Sequence, residues 1–410
     1  MNNFSALKTF ESLKDREFRI YFLSMLGQWA GQAMQNVMQG LLLYRLTGST
    51  AILGTMSLAN AIPQVGVALF AGVLVDRYSK KRLMQIGQGV TALTAFIIAI
   101  ALWTGVLSKA HAGSWWILIV IAVIQGVSGA ILWAARSAIV PELVSKNHVP
   151  NATSLTTIGL NIFQLVSPAL GGFLIDKINF EAVYLVIGGF YLVSMFITNL
   201  VSSGKVIPSG GRQLLAEVVA GLKYSAKNPV LLWVVLYTLF CSMIVLPLGA
   251  MISVFSDSIL KVSGTGLGLL QGFSAAGALV TVLVIATMNI RKPGLLMLIT
   301  GLVMGLAQTA FAFSTSYPLS LVIMIFVGAG TMGQITLAMI LLQIHADPNQ
   351  RGRVLSLLLL GIGISGLMTF GAGFVAEVIG IQWTIGGASI LLCVATVLVY
   401  FIVPQLRKTD

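Results

Sequence analysis

Apolar residues in this chain gather in twelve long runs separated by short polar breaks. The runs are 19–45, 50–75, 83–106, 114–140, 151–175, 180–202, 229–255, 264–288, 294–313, 317–344, 353–379 and 381–403. Each is near or above the roughly 20 residues that cross a hydrocarbon core as a helix, and far longer than a barrel strand. Lipid cannot satisfy open backbone groups, so helix is the state each run must take. The pattern predicts an all-α polytopic membrane protein with twelve transmembrane helices.

One break is much longer than the others. Residues 203–228 open with Ser203-Gly204-Lys205 and Pro208-Ser209-Gly210-Gly211, continue with a candidate amphipathic helix from Arg212 to Lys227, and end at Asn228-Pro229. This break separates six runs from six. It predicts a six-helix bundle over 1–202, a cytoplasmic linker over 203–228 and a second six-helix bundle over 229–410. A weak internal repeat agrees. Gly172-Phe173-Leu174-Ile175-Asp176 ends the fifth run, and Gly373-Phe374-Val375-Ala376-Glu377 ends the eleventh.

Composition sharpens this picture. Charged residues are 9% of the 410 and mean hydropathy is +0.95, against roughly 25% charged in a soluble domain. The net charge of +12 does not point to nucleic acid, because the cations sit in short clusters between apolar runs. With the N-terminus inside, all but Arg45, Lys109, Lys177 and Lys261 of the 24 Lys and Arg residues fall on the cytoplasmic side, as retention of cations there requires. An even number of spans returns Arg407 and Lys408 to the same side. Both termini are therefore expected in the cytoplasm, with anionic lipid contact as a by-product. Residues 1–19 do not read as a cleavable signal. Leu7, Phe10, Leu13 and Phe18 there could form the apolar face of a short surface helix. Cys241 and Cys393 lie inside apolar runs and make neither a disulfide framework nor a metal site.

The loop Asp76-Arg77-Tyr78-Ser79-Lys80-Lys81-Arg82 follows Gly72 and Leu74 at the end of the second run. Topology alone would explain Lys80, Lys81 and Arg82, but Asp76 adds nothing to a topology signal and is costly to desolvate. The pattern resembles the signature loop of the major facilitator superfamily, with Ser79 where Gly is usual. Further pieces resemble the branch that holds macrolide and siderophore (enterobactin-type) exporters. They are Leu46-Thr47-Gly48-Ser49, Arg136 with Pro141-Glu142, Gly221-Leu222-Lys223-Tyr224 with Asn228-Pro229, and Arg351-Gly352-Arg353-Val354. The resemblance implies the major facilitator fold, two six-helix bundles and the plasma membrane of a prokaryote. It also implies a cytoplasmic gate of Gly72, Asp76, Arg77, Lys80, Lys81 and Arg82, with Arg136 and Glu142 in the same charge network. Asp76 would there meet the N-terminus of the eleventh helix, near Arg353. Ser167-Pro168-Ala169-Leu170-Gly171-Gly172 resembles an exporter motif, and Pro168, Gly171 and Gly172 are expected to bend the fifth helix or let it approach a neighbour. Gln125-Gly126 matches the family's fourth helix. Its usual upstream Arg, linked there to proton coupling, is Ala122, so a standard proton antiport does not carry over at that place.

Polar residues within the runs point to a cavity. Gln28, Gln32, Gln35, Asn36 and Gln39 recur at i, i+4, i+7, i+8 and i+11 in the first run and share one helix face. Amides facing lipid are costly, so this face should look inward, lining a substrate cavity or bonding neighbouring helices. Asn60 and Gln64 repeat the spacing in the second run. Gln125, Asn161, Gln164, Gln271 and Gln334 are single amides for which packing and cavity weigh equally. No carboxylate lies near the middle of any run, no nucleophile–His–acid set occurs, and no phosphate-binding loop suggests direct use of ATP. The chain is expected to be no enzyme, to hold no metal or cofactor, and to bind membrane lipids and a small amphiphilic substrate, with protons as the candidate coupling ion. The expected activity is efflux of drug-, macrolide- or siderophore-like compounds by alternating access. Lipid or lysolipid transport, and a receptor that binds without flux, are the alternatives.

Overall fold

The computed structural model describes residues 8–407, apart from 112, 203–213, 289 and 348–349. Twelve long helices run in the predicted order. They are α1 (Arg16–Thr47), α2 (Thr50–Arg77), α3 (Lys80–Trp103), α4 (Trp116–Leu143), α5 (Val149–Lys177), α6 (Phe180–Thr198), α8 (Pro229–Ser258), α9 (Gly264–Thr287), α10 (Pro293–Phe313), α11 (Tyr317–His345), α12 (Arg351–Ile379) and α13 (Ile381–Ile402). A shorter helix α7 (Leu214–Ser225) lies in the long break, and α14 (Pro404–Arg407) closes the chain. Among the described residues, ten helices are long and apolar enough to cross a membrane. α1 is long enough but carries its amides along its middle, and α12 qualifies only over Ile364–Ile379, as a shorter apolar helix.

Local chemistry sets the corners. Ser49 caps α2 by accepting from the Ile52 amide (3.2 Å), Asn179 caps α6 through the Ala182 amide (2.9 Å), and Asn228 caps α8 through the Val230 amide (3.0 Å). These side chains satisfy amide donors that a helix start leaves open. Pro229 follows its cap directly, in the first turn, where a missing N–H costs nothing. Gly48 ends α1 with φ of +67°, which a residue with a Cβ rarely adopts.

Several boundaries differ from those read in the sequence. Pro141 and Glu142, which lie just beyond the fourth apolar run, complete the last turn of α4, which runs to Leu143. The surface helix expected before the first span is instead a 3-10 turn, Lys8–Lys14, tied to α5. The Ser12 amide and hydroxyl both donate to Asn151 Oδ1 (3.0 and 2.7 Å), and His148 Nδ1 lies 3.1 Å from Asp15 Oδ2. Phe18 is fully buried in the core and not laid on a membrane surface. Leu7 lies outside the described residues, as do Ser203–Lys205, Pro208–Gly211 and Arg212 of the long break and Lys408 of the tail. The helix α7 packs on α12, and its Tyr224 hydroxyl donates to Asp347 Oδ2 (2.8 Å).

Helices α1 to α6 pack chiefly among themselves: α1 on α5 and α6, α3 on α4 and α6, α2 on α4. Helices α8 to α13 do likewise: α10 on α11 and α13, α9 on α11, α8 on α12. Two long seams join the groups, α5 on α9 and α2 on α12, with α1 on α8 between them. The buried apolar side chains divide unevenly along the helices. At the end away from the α2–α3 loop, one continuous cluster spans both groups, including Met38, Leu42 and Ile98 on one side and Met251, Phe255, Phe311 and Ala376 on the other. At the α2–α3 loop end there are two clusters. One, with Tyr21, Met25, Leu132 and Leu155, belongs to the first group; the other, with Leu231, Val234, Leu341 and Leu357, belongs to the second.

Candidate functional site

A cavity of about 520 Å³ lies between the groups, at the depth where the shared core gives way to two separate ones. α1 supplies Trp29, Gln32 and Asn36; α4 supplies Trp133 and Arg136; α5 supplies Gln164 and Pro168. The second group faces them with Gly249 and Ile252 of α8, Gln271 and Ser274 of α9, Gln308 of α10, and Met324 and Thr331 of α11. No Asp or Glu is among the described lining residues.

The predicted amides divide into two sets. Gln32, Asn36, Gln164 and Gln271 line the cavity. Gln28, Gln35 and Gln39, on the same stripe of α1, are buried against other helices. Gln35 accepts from the Tyr191 hydroxyl of α6 (2.7 Å), which ties α1 to its own group. A stripe spanning i to i+11 covers too wide an arc to face one cavity, so its margins pack while its centre is free. Asn60 donates to the Ala122 carbonyl (3.0 Å), and Gln334 to Thr238 Oγ1 (3.1 Å). Gln64 lies against Gly129 on the α2–α4 contact. Gln125 and Asn161 are half-buried and outside the lining. Met25, Met34 and Met38 are fully buried core residues. Gln308 was not anticipated. It is fully buried, accepts from Ser389 (3.2 Å), and leaves the other end of its amide without a partner.

The residues predicted at the cytoplasmic gate separate as well. Lys80 and Glu142 pair at 2.5 Å, with side chains 10% and 20% exposed. Lys81 donates to the Asn199 carbonyl (2.7 Å). Arg77 and Arg82 are exposed, Asp76 is half-buried in the last turn of α2, and Gly72 faces open space. Arg136 is elsewhere, on the cavity wall about two turns from the end of α4.

The end away from the α2–α3 loop holds a set of contacts that the sequence did not assign to function. Asp176, last but one in α5, accepts from the Gly264 and Thr265 amides (both 2.8 Å) and the Thr265 hydroxyl (2.6 Å) at the start of α9. Glu377, at the end of α12, accepts from the Ser49 hydroxyl (3.1 Å) and the Ala51 amide (3.3 Å) at the start of α2. Both are carboxylates at helix N-termini, where open N–H donors and the helix dipole favour negative charge. Four residues before each carboxylate, on the same helix face, stands a glycine that makes the approach possible. A Cβ on Gly172 would collide with the Gly264 carbonyl, and one on Gly373 would stand 2.5 Å from the Thr50 carbonyl. The repeat Gly-Phe-x-x-Asp/Glu is thus a pair of equivalent clasps, α5 on α9 and α12 on α2. Arg45 and Asp257 add an ion pair from α1 to α8 at the same end (2.9 Å). The motif around Pro168 belongs to this seam. α5 continues unbroken through Pro168, Gly171 packs on Met34 and Met38, and Pro168 and Ala169 meet Gly268 of α9.

Comparison with known proteins places this architecture. The chain is 25% identical to the multidrug efflux pump Tap of Mycolicibacterium fortuitum, over 93% of this chain and 94% of that one. It is 22% identical to macrolide efflux protein A of Streptococcus pyogenes, over 93% and 96%. A shorter match, 24% identical, covers 44% of this chain and 43% of the staphyloferrin A transporter of Staphylococcus aureus. Among solved structures, a point mutant of the nucleoside transporter NupG superposes with a TM-score of 0.75 at 15% identity, over 94% of this chain and 99% of that one. The family model of the Major Facilitator Superfamily matches residues 20–369. With twelve long helices and a transporter fold, the chain is a multi-pass membrane protein that belongs to the Major Facilitator Superfamily.

Proposed function

We propose that this protein is a secondary transporter that exports small amphiphilic molecules, drug-, macrolide- or siderophore-like, across the plasma membrane by alternating access. Both termini face the cytoplasm in this reading, and residues 1–202 and 229–410 are the two moving bundles, joined by the 203–228 linker. The observation that carries it is the division of the buried core: shared at one end, split in two at the other, with a cavity at the fork. Packed cores are bistable and not continuously deformable, so a core that is split at one end is poised to join there and part at the other.

In this reading the clasps made by Asp176 and Glu377 hold the outer end shut, and the cavity loads from the cytoplasm. Asp76 and Arg77 act when the cytoplasmic end closes. Apart from Arg136, the cavity wall is apolar with neutral amides, suited to an apolar body with scattered polar groups. The relatives that export drugs and macrolides support the substrate class. Buried Ala122, where the family carries an Arg, leaves the fourth helix without a charged proton relay at that position.

The test is flux in proteoliposomes under an imposed pH gradient, with dyes, macrolides, siderophores and lysolipids, and Asp76→Asn beside the parent. Gradient-dependent flux of one amphiphile class, reduced in Asp76→Asn, is expected. Lysolipid movement alone, or binding with no flux, overturns the proposal.

A further inference from the structure

Among the described residues the cavity has one charged side chain on its lining, and none of them supplies that charge with a counter-ion. Arg136 donates from Nε to the Leu132 carbonyl one turn earlier in its own helix (3.3 Å), and its guanidinium lies over the Trp133 ring, 5.8 Å from the centroid. Among the described residues no carboxylate stands within ion-pair distance of it. Glu142, the acid nearest in sequence, is taken by Lys80. The phenol side chains of Tyr21 and Tyr191 are the groups close enough to feel its charge. Away from bulk water a guanidinium without an anion is costly, and a residue of this kind facing a cavity in a membrane protein marks a ligand pathway.

We propose that Arg136 is the charge-recognition residue of the cavity and that the transported amphiphile carries an anionic group, a carboxylate or phosphate, that pairs with it. The inference rests on the transporter reading above and narrows its substrate class. The geometry of the wall fits such a molecule. Nε is committed to Leu132, so the two terminal amino groups of the guanidinium are free to face an anion side by side, the arrangement that favours carboxylate and phosphate over other acceptors. Trp133, 56% exposed, lies on the same wall and presents an aromatic ring to the organic body. Gln32 and Gln164 add neutral amides within the same patch, and the unpartnered end of the Gln308 amide stands on the opposite wall. With no acid among the described lining residues, no anionic side chain of the cavity attracts a cationic head group, and Arg136 repels one. Selectivity of this kind is a difference between affinities, here set by attraction and repulsion at one residue.

The test uses the full-length protein in lipid nanodiscs and three fluorescent probes of equal tail length. They are a dansyl-labelled long-chain carboxylate, its methyl ester and the matching quaternary ammonium compound. The parent is expected to bind the carboxylate at least about tenfold more tightly than the ester, a difference of about 1.4 kcal/mol, and the ammonium compound most weakly. Arg136→Gln should collapse the carboxylate-to-ester ratio to near unity while leaving ester affinity within about twofold. Arg136→Lys, which keeps the charge but not the fork, should retain part of the preference. Gln271→Ala, on the facing wall, should weaken all three probes and leave the ratio unchanged. Equal binding of carboxylate and ester by the parent, or a preference that survives Arg136→Gln, overturns the proposal and leaves the cavity reading standing. Failure of every probe to bind overturns the cavity reading and the proposal with it.

Discussion

Replacing Asp176 with Ala should release one of the two clasps that, in the proposed cycle, hold the outer end shut. The carboxylate accepts three hydrogen bonds from Gly264 and Thr265 and sits at the N-terminus of α9. Loss of such a cap costs about 0.5–2 kcal/mol, and the favourable interaction with the helix dipole adds about 0.3–1 kcal/mol. The site borders solvent, so water replaces part of what is lost, and about 1–2 kcal/mol against the closed state is the expected net. That corresponds to a shift of roughly fivefold to thirtyfold in the ratio of outer-closed to outer-open molecules. Double electron–electron resonance would read the shift, with nitroxides at Lys109→Cys in the α3–α4 loop and Thr315→Cys in the α10–α11 loop, and with Cys241 and Cys393 replaced. These loops stand on different groups at the same end. The parent should give mainly a short distance, and Asp176→Ala a clear gain in a longer one. Glu377→Ala, on the other seam, should act alike and combine additively, since the two clasps share no partner. An unchanged distance distribution in the double variant would refute the clasp account.

Three further outcomes follow from the same geometry. Gly172→Val places side-chain atoms where the Gly264 carbonyl lies, so it should populate the long distance more strongly than Asp176→Ala, with helix content by circular dichroism unchanged. Gln334→Leu removes a buried bond to Thr238; it should lower thermal stability by the equivalent of about 0.6–1.5 kcal/mol and leave probe affinities alone, the reverse of Gln271→Ala. Lys80→Met leaves Glu142 largely buried without its partner and should cost about 1–3 kcal/mol, part of which the double variant Lys80→Met/Glu142→Gln recovers, as followed by intrinsic tryptophan fluorescence on heating.

The helices were legible because lipid demands the same thing of every span: an uninterrupted apolar run with its backbone bonded internally. The ends were less so. Pro141 reads as a breaker, yet α4 runs two residues past it to Leu143, giving up only the helix bond that an N–H at position 141 would have made. The amide stripe of α1 correctly pointed inward, but periodicity reports a face and not a neighbour. Which of Gln28, Gln32, Gln35, Asn36 and Gln39 would meet a side chain and which a cavity depended on where α6 and α8 came to lie. Gln308 stood alone in an apolar run and gave no pattern to notice. The clasps were half visible. The repeat of Gly-Phe-x-x-Asp with Gly-Phe-x-x-Glu was plain, and a glycine and an acid at i and i+4 share a face. Their partners are helix N-termini nearly ninety or more than three hundred residues away, which spacing alone cannot supply. Arg136 was grouped with Glu142 through the family resemblance, but Lys80 reaches that carboxylate from α3 and leaves the arginine to the cavity.

The most direct test of the account is to hold the outer end shut and ask whether transport stops. Ser49 and Glu377 touch across the α2–α12 seam, so Ser49→Cys/Glu377→Cys in a background without Cys241 and Cys393 can be bridged by a short bis-methanethiosulfonate linker, which joins the two thiols through reducible disulfides. The account predicts that bridging abolishes probe flux in proteoliposomes, that probe binding persists, and that reduction restores flux. Undiminished flux through fully bridged protein would contradict alternating access about this cavity.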